Sequence, residues 1–196
     1  MRVFITGGGG FLGTAICKRL AAAGHEVISF SRSAHNHLHA LGVEHKKGSI
    51  TNLDAVVWAS NECDAIIHTA AKAGVWGSLD SFYEPNVIGT ENIISACKEH
   101  GIKKLVYTSS PSVVFNGTDM EGVDESVPYA DTYEAFYPQT KALAEQAILA
   151  ANSPNLATVA LRPHLIWGPG DPHLVSRIID RGSRGKLRRI GKDEKK

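Results

Sequence analysis

The chain has 196 residues, 43% of them hydrophobic, enough to bury one sizeable core but no second complete domain. Lys plus Arg number 21 against 20 Asp plus Glu, so there is no general basic field to point to nucleic acid. No apolar run approaches a membrane span, no leader pattern precedes the first apolar segment, and Cys17, Cys63 and Cys97 have no metal or redox spacing, so a cytoplasmic chain with reduced thiols and no membrane span is expected.

The first strand is expected over Arg2–Thr6, followed directly by Gly7-Gly8-Gly9-Gly10-Phe11-Leu12-Gly13 and a helix over Phe11–Ala23 that stops at Gly24. Glycines at a strand-to-helix turn, rather than in a mere flexible loop, point to a dinucleotide. Gly7 permits the tight turn, Gly10 lets backbone approach a pyrophosphate, and Gly13 lets the helix pack on the sheet. The helix start at Phe11 and Leu12 adds free N–H groups and a positive dipole end.

A second strand over Glu26–Ser31 runs into Arg32-Ser33, the place where NAD-dependent enzymes usually present an acid to the ribose. A carboxylate there would repel a 2′-phosphate, whereas Arg32 flanked by Ser31 and Ser33 can bind one, which favours NADP(H) and leaves NAD(H) possible. His35, His37 and His39 invite a metal reading. With no acidic ligand or nearby cysteine to complete a site, a solvated helix start explains them better.

Further strands are expected over Glu44–Lys47, Ala65–His68, Lys104–Thr108 and Ala157–Leu161, with helices over Asp54–Ser60, Val87–His100 and Tyr137–Ala151. The alternation predicts an α/β doubly wound parallel sheet of order 3-2-1-4-5-6, with ligand bound where the order reverses. Ala70 and Ala71 follow the fourth strand and are small enough to let backbone approach the cofactor ribose. His68 before them reads as a hydrogen-bonded, partly buried histidine, and Asn86 as support for a loop.

The segment Pro111–Glu134 is too long for a simple connection and reads as a functional loop, with Asp119, Glu121, Asp124 and Glu125 solvated. Tyr137 and Lys141, four apart at a helix start, share one face. An adjacent ammonium and an oxidised nicotinamide ring both favour the phenolate, so Tyr137 and Lys141 are expected at the cofactor as well, and Tyr137 can exchange a proton with a carbonyl or alcohol oxygen. A hydroxyl partner is expected at the end of the fifth strand, from Ser109, Ser110 or Ser112. Arg181, Arg184, Lys186, Arg188, Arg189, Lys192, Lys195 and Lys196 make a locally basic tail with no interleaved aromatics, read as solvated.

The glycine spacing, His68-Thr69-Ala70-Ala71, Ser109-Ser110, Tyr137 with Lys141, and Leu161-Arg162-Pro163 before Trp167-Gly168-Pro169-Gly170 resemble the extended short-chain dehydrogenases over nearly the whole chain. Ala71-Lys72-Ala73-Gly74-Val75-Trp76-Gly77 and Tyr107-Thr108-Ser109-Ser110-Pro111-Ser112-Val113-Val114-Phe115 are most similar to the 3β-hydroxysteroid dehydrogenase, sterol-4-carboxylate 3-dehydrogenase and 2-alkyl-3-ketoalkanoate reductase branch. The resemblance implies a Rossmann fold, makes Ser110 the catalytic hydroxyl beside Tyr137 and Lys141, and implies a hydrophobic small-molecule substrate carrying a secondary alcohol or ketone. Pro111 and Ser112 replace the acids of sugar-nucleotide dehydratases, against elimination chemistry. Ser49 stands where relatives carry an adenine-contacting Asp. The resemblance further implies a cofactor-binding domain over 1–170, only the start of a substrate-binding part over 171–196, and exposed apolar surface favouring a homodimer. Two other readings stay open, a nucleotide-sugar 4-epimerase and a cofactor-binding module without turnover.

Overall fold

Six strands, β1 (Arg2–Thr6), β2 (Glu26–Ser31), β3 (Glu44–Lys47), β4 (Ala65–His68), β5 (Lys104–Thr108) and β6 (Ala157–Leu161), form one sheet in the order β3-β2-β1-β4-β5-β6. Every neighbouring pair is parallel. The strands and their order are those expected from the apolar runs, and the fold is a Rossmann fold. The computed structural model describes residues 1–171 and 175–188. The chain divides into two units, Met1–His164 and Leu165–Lys196, the first holding the whole sheet.

Side chains alternate across the sheet, so each face builds its own core. Phe4, Ile28, Phe30, Ile66, Leu105 and Tyr107 face one way, against α3 (Leu53–Ser60), α5 (Gly89–His100) and α6 (Phe136–Ala150). Val3, Ile5 and Val27 face the other, against α1 (Phe11–Ala22) and the short α2 (Asn36–His39). Burial pushes the thiols of Cys17 and Cys63 up to about 11 and that of Cys97 up to about 12, which makes all three poor nucleophiles.

The helix expected from Val87 begins differently. A short α4 (Leu79–Tyr83) runs into a wide π-type turn over Glu84–Ile88, and α5 starts only at Gly89. Pro85 lacks an N–H for a regular helix, and the widened turn directs Asn86 inward. The loop after β5 opens with a 3₁₀ turn over Pro111–Val113 and folds back on α6, where Val113, Val114 and Ala142 form a third cluster with Tyr129 and Tyr133.

In the second unit, α7 (Val175–Ser183) starts with the Val175 N–H donating to Asp171 Oδ2 at 2.9 Å. Arg181, Arg184, Lys186 and Arg188 are exposed, whereas Arg189, Lys192, Lys195 and Lys196 lie outside the described residues. Among the described residues no helix is long and apolar enough to cross a membrane.

Candidate active site

The crevice lies at the carboxyl ends of β1 and β4, where the strand order reverses. On its first side the glycine turn is dictated by crowding. Gly7 has φ +72°, and a Cβ there would stand 2.9 Å from the Ala70 nitrogen. A Cβ at Gly13 would overlap the Gly7 carbonyl, so only glycine lets α1 start this close to β1. Gly10 is the N-cap of α1 and carries no side-chain cap, and the first turn holds no acid. Among the described residues the N–H groups of Phe11, Leu12 and Gly13 have no acceptor, so they present a bare helix N-terminus. A cradle of unpaired N–H groups that any Cβ would fill fits a pyrophosphate.

Beside it, a buried chain of hydrogen bonds joins β1, β4 and α5. The Ala70 N–H donates to Thr6 Oγ1 at 3.2 Å, and Thr6 Oγ1 lies 2.6 Å from His68 Nδ1. His68 Nε2 lies 3.1 Å from Thr90 Oγ1, which itself donates to the Asn86 carbonyl at 2.6 Å. Because Thr90 spends its proton on that carbonyl, His68 must donate from Nε2 and accept at Nδ1, which is the neutral imidazole. Burial and then the Lys141 charge lower its pKa to about 3. His68 is fully buried, beyond the partial burial expected. Asn86 accepts from the Lys72 N–H at 2.7 Å and donates to the Lys72 carbonyl and to Thr140 Oγ1, tying the loop after β4 to α6. Ala71 is exposed on that loop.

On the second side, α6 brings up Tyr137 and Lys141. Lys141 is buried, donates from Nζ to the Thr108 carbonyl at 2.6 Å and sits 4.0 Å from the centre of the Tyr107 ring. Burial lowers its pKa to about 7, with the Glu145 charge pulling the other way. Tyr137 is half-buried and its phenol is raised by burial, an effect opposed by a hydrogen bond with the Ser110 side chain. Ser110 also lies 2.8 Å from Ser112 Oγ and accepts from the Ser112 N–H. Ser109, one residue earlier in extended backbone, is buried beside Glu145 instead. Of the three candidate serines, Ser110 therefore meets Tyr137.

At the end of β2, Ser31 Oγ donates to the Ser33 carbonyl at 2.7 Å, and the Arg32 side chain is exposed with no ion pair among the described residues. Ser49 accepts from the Thr51 N–H and lies 2.8 Å from its hydroxyl. The sequence reading missed Thr6, Thr90, Tyr107 and Glu145. Only Glu145 left a signal, four residues beyond Lys141 on one helix face.

A glycine turn facing a Tyr-x-x-x-Lys helix across the switch point of a doubly wound sheet is the architecture of the extended short-chain dehydrogenases. The chain belongs to the 3-beta hydroxysteroid dehydrogenase/isomerase family, whose profile matches residues 4–196. It is 51% identical to the 2-alkyl-3-oxoalkanoate reductase of Stenotrophomonas maltophilia over 97% of this chain and 58% of that protein. It is 37% identical to the decarboxylating sterol-4-alpha-carboxylate 3-dehydrogenase of Mus musculus, over 94% of this chain and 51% of that one. The structure of Thermus thermophilus UDP-glucose 4-epimerase in complex with NAD superposes with a TM-score of 0.78 at 29% identity, covering 92% of this chain and 60% of that one. The chain thus spans about half the length of the curated relatives it matches.

Proposed function

We propose that the protein is an NAD(P)-dependent oxidoreductase that interconverts a secondary alcohol and a ketone on a hydrophobic 3-hydroxy/3-oxo substrate, of long-chain or steroid-like type. The observation that carries this reading is that Tyr137 interacts with Ser110 while Lys141, one helix turn on, reaches the Thr108 carbonyl, both at the end of β5 and across the switch point from the glycine turn. The names of its relatives, an oxoalkanoate reductase and a sterol dehydrogenase, support the substrate class.

A bound nicotinamide supplies or accepts the hydride. Gly7, Gly10 and Gly13, with the N–H groups of Phe11 and Leu12, hold the pyrophosphate. Ala70 and Ala71 would border the ribose, and Ser31 and Arg32 would bind a 2′-phosphate, which favours NADP(H) over NAD(H). Ser110 orients the substrate oxygen. Tyr137, kept protonated at neutral pH by burial, gives its proton to a developing alkoxide. Lys141, with a pKa near 7, resupplies charge beside the phenol and lowers the cost of the phenolate left behind. In this reading residues 1–170 form the cofactor half, and 171–196 begin the substrate-binding part.

Tyr137→Phe keeps the ring and deletes the proton. Reduction of a 2-alkyl-3-oxoalkanoate, followed by loss of NADPH absorbance, is expected to fall roughly 10²–10⁴-fold. NADPH affinity is expected to stay within about threefold, since none of the groups assigned to the cofactor phosphates is lost. Retention of most activity would remove Tyr137 from the chemistry. The likeness to a UDP-glucose 4-epimerase favours a second reading, sugar epimerisation with the same tyrosine. Interconversion of UDP-glucose and UDP-galactose without net cofactor change would establish it in place of the first.

A further inference from the structure

The glycine turn, the end of β2 and the middle of β3 meet at a corner that the reading above uses only through Arg32 and Ser31. His35 lies directly on the turn, where a Cβ at Gly9 would overlap its imidazole. The ring of His37 is centred 5.7 Å from that of His35, with Nε2 3.1 Å from Thr14 Oγ1 on the first turn of α1. His45, arriving from β3, is centred 6.5 Å from His35 and has Nε2 3.1 Å from Ser31 Oγ. Three imidazoles from two segments, the start of α2 and β3, thus converge beside an uncapped helix start, and Arg32, within three residues of both Ser31 and His35 along the chain, is exposed.

The surroundings of this corner are basic. Glu26 of β2 and Glu44 of β3 both reach back to Arg2, at the opposite end of their strands. The α1 helix carries Lys18 and Arg19 and no acid, and α2 carries His37 and His39 and no acid. Lys47 is in register with Ser31, while Lys46 donates to the Ala59 carbonyl and covers Trp58. Among the described residues none of the three imidazoles is ion-paired.

Imidazoles, an arginine and a lysine without a carboxylate are the chemistry that receives a phosphomonoester dianion. Imidazole also changes its charge between about pH 5 and 8, and a dianion bound beside an imidazole favours its charged form. We infer that His35, flanked by His37 and His45, is a second recognition residue for the 2′-phosphate of NADP(H), and that this phosphate binds with net proton uptake by the cluster. The inference rests on the NADP(H) reading of Arg32 but assigns different side chains.

Calorimetric titration with NADPH and with NADH, at about pH 7.5 in buffers of differing ionisation enthalpy, tests it. A phosphomonoester, with its second pKa near 6, is almost fully ionised there and has no proton to contribute or release. Net proton uptake with NADPH and none with NADH is expected, and NADPH affinity should rise several-fold from about pH 7.5 to 6.5 while NADH affinity stays level. His35→Gln should remove most of the uptake and weaken NADPH roughly tenfold at the lower pH. Arg32→Ala should weaken NADPH but keep the uptake. His45→Gln leaves the glycine turn untouched and should reduce the uptake as well, so the outcome does not hang on one variant. NADPH preference without proton uptake, or equal uptake with NADH, would overturn the inference and leave the Arg32 reading standing. Equal affinity for both cofactors at both pH values would overturn the NADP(H) reading and the inference with it.

Discussion

Burial sets the proton positions of Tyr137 and Lys141 in opposite directions, raising the phenol and lowering the ammonium. The Lys141 nitrogen still keeps two partners suited to a cation, the Thr108 carbonyl and the face of Tyr107. Tyr107 was invisible as a site residue because nothing in its own strand distinguishes it from a core aromatic; only the packing of α6 places a lysine over its ring. The same holds for the serines. A Ser-Ser pair at a strand end announces a hydroxyl, but the alternation of extended backbone decides which one turns toward Tyr137. Arg32 is the converse case, legible in the sequence and exposed in the fold. Arg32→Ala is expected to weaken NADPH binding by about 1.5–3 kcal/mol and leave NADH nearly unchanged, because only NADPH has a 2′-phosphate to lose. Fluorescence titration with both cofactors checks this, and equal losses would take Arg32 out of the phosphate site.

At the scale of elements, α6 serves as a hub. Glu145, almost fully buried, accepts from Arg162 through Nε at 3.1 Å and Nη2 at 2.6 Å and from Tyr129 at 2.9 Å, so one carboxylate joins α6 to the segment after β6 and to the long loop. The Arg162 and Tyr129 hydrogen bonds hold its pKa down although burial, the largest influence, acts to raise it. Glu145→Gln should cost about 3 kcal/mol, since it strands the Arg162 charge in a partly buried place. Urea unfolding measures the loss, and Arg162→Met in the same background should recover part of it; a variant as stable as the parent would show that the pair contributes little. The loop over Pro111–Glu134 was legible as a long irregular segment from its length and composition. Its fold-back on α6 was not, because Val113, Tyr129 and Tyr133 find one another only across a chain reversal. The π-type turn before α5 escaped for a related reason. Helical periodicity reports 3.6 residues per turn, and five residues of wider turn leave no pattern of their own.

For the whole molecule, His68 makes stability depend on acid. Its pKa in the fold is near 3 and that of a free histidine about 6.5, so between those values the unfolded chain binds the extra proton and stability falls as the pH is lowered. Protonation would also break the Thr6 hydrogen bond, which needs an accepting Nδ1. From about pH 6.5 to 5 this single group should remove roughly 2 kcal/mol. Urea unfolding across that range should show the slope, and His68→Gln, whatever its overall stability, should flatten it. An unchanged slope in the variant would mean that other groups govern the acid limb.

The six strands and the glycine turn followed from local sequence, because each rests on short-range rules, an apolar run within a strand and glycine where a turn leaves no room for a Cβ, while the strand order followed from the alternation of strand and helix in a doubly wound sheet. The pairing of Tyr137 with Lys141 followed likewise from one helix repeat. What the tertiary structure alone decided is how residues distant along the chain meet. His68 was seen but its neutral state was not, since that depends on Thr6 and Thr90 supplying one donor and one acceptor. The residues of the strand end left Ser109, Ser110 and Ser112 open and the family resemblance alone chose Ser110; its place beside Tyr137 came only with α6 lying across the end of β5. The histidines after β2 do lie at a helix start with His37 and His39 exposed, as expected, but that β3 brings His45 beside them and that His35 lies against the glycine turn is decided only by packing. Side-chain periodicity is written within a segment, whereas burial, charge state and convergence are properties of the segments once packed.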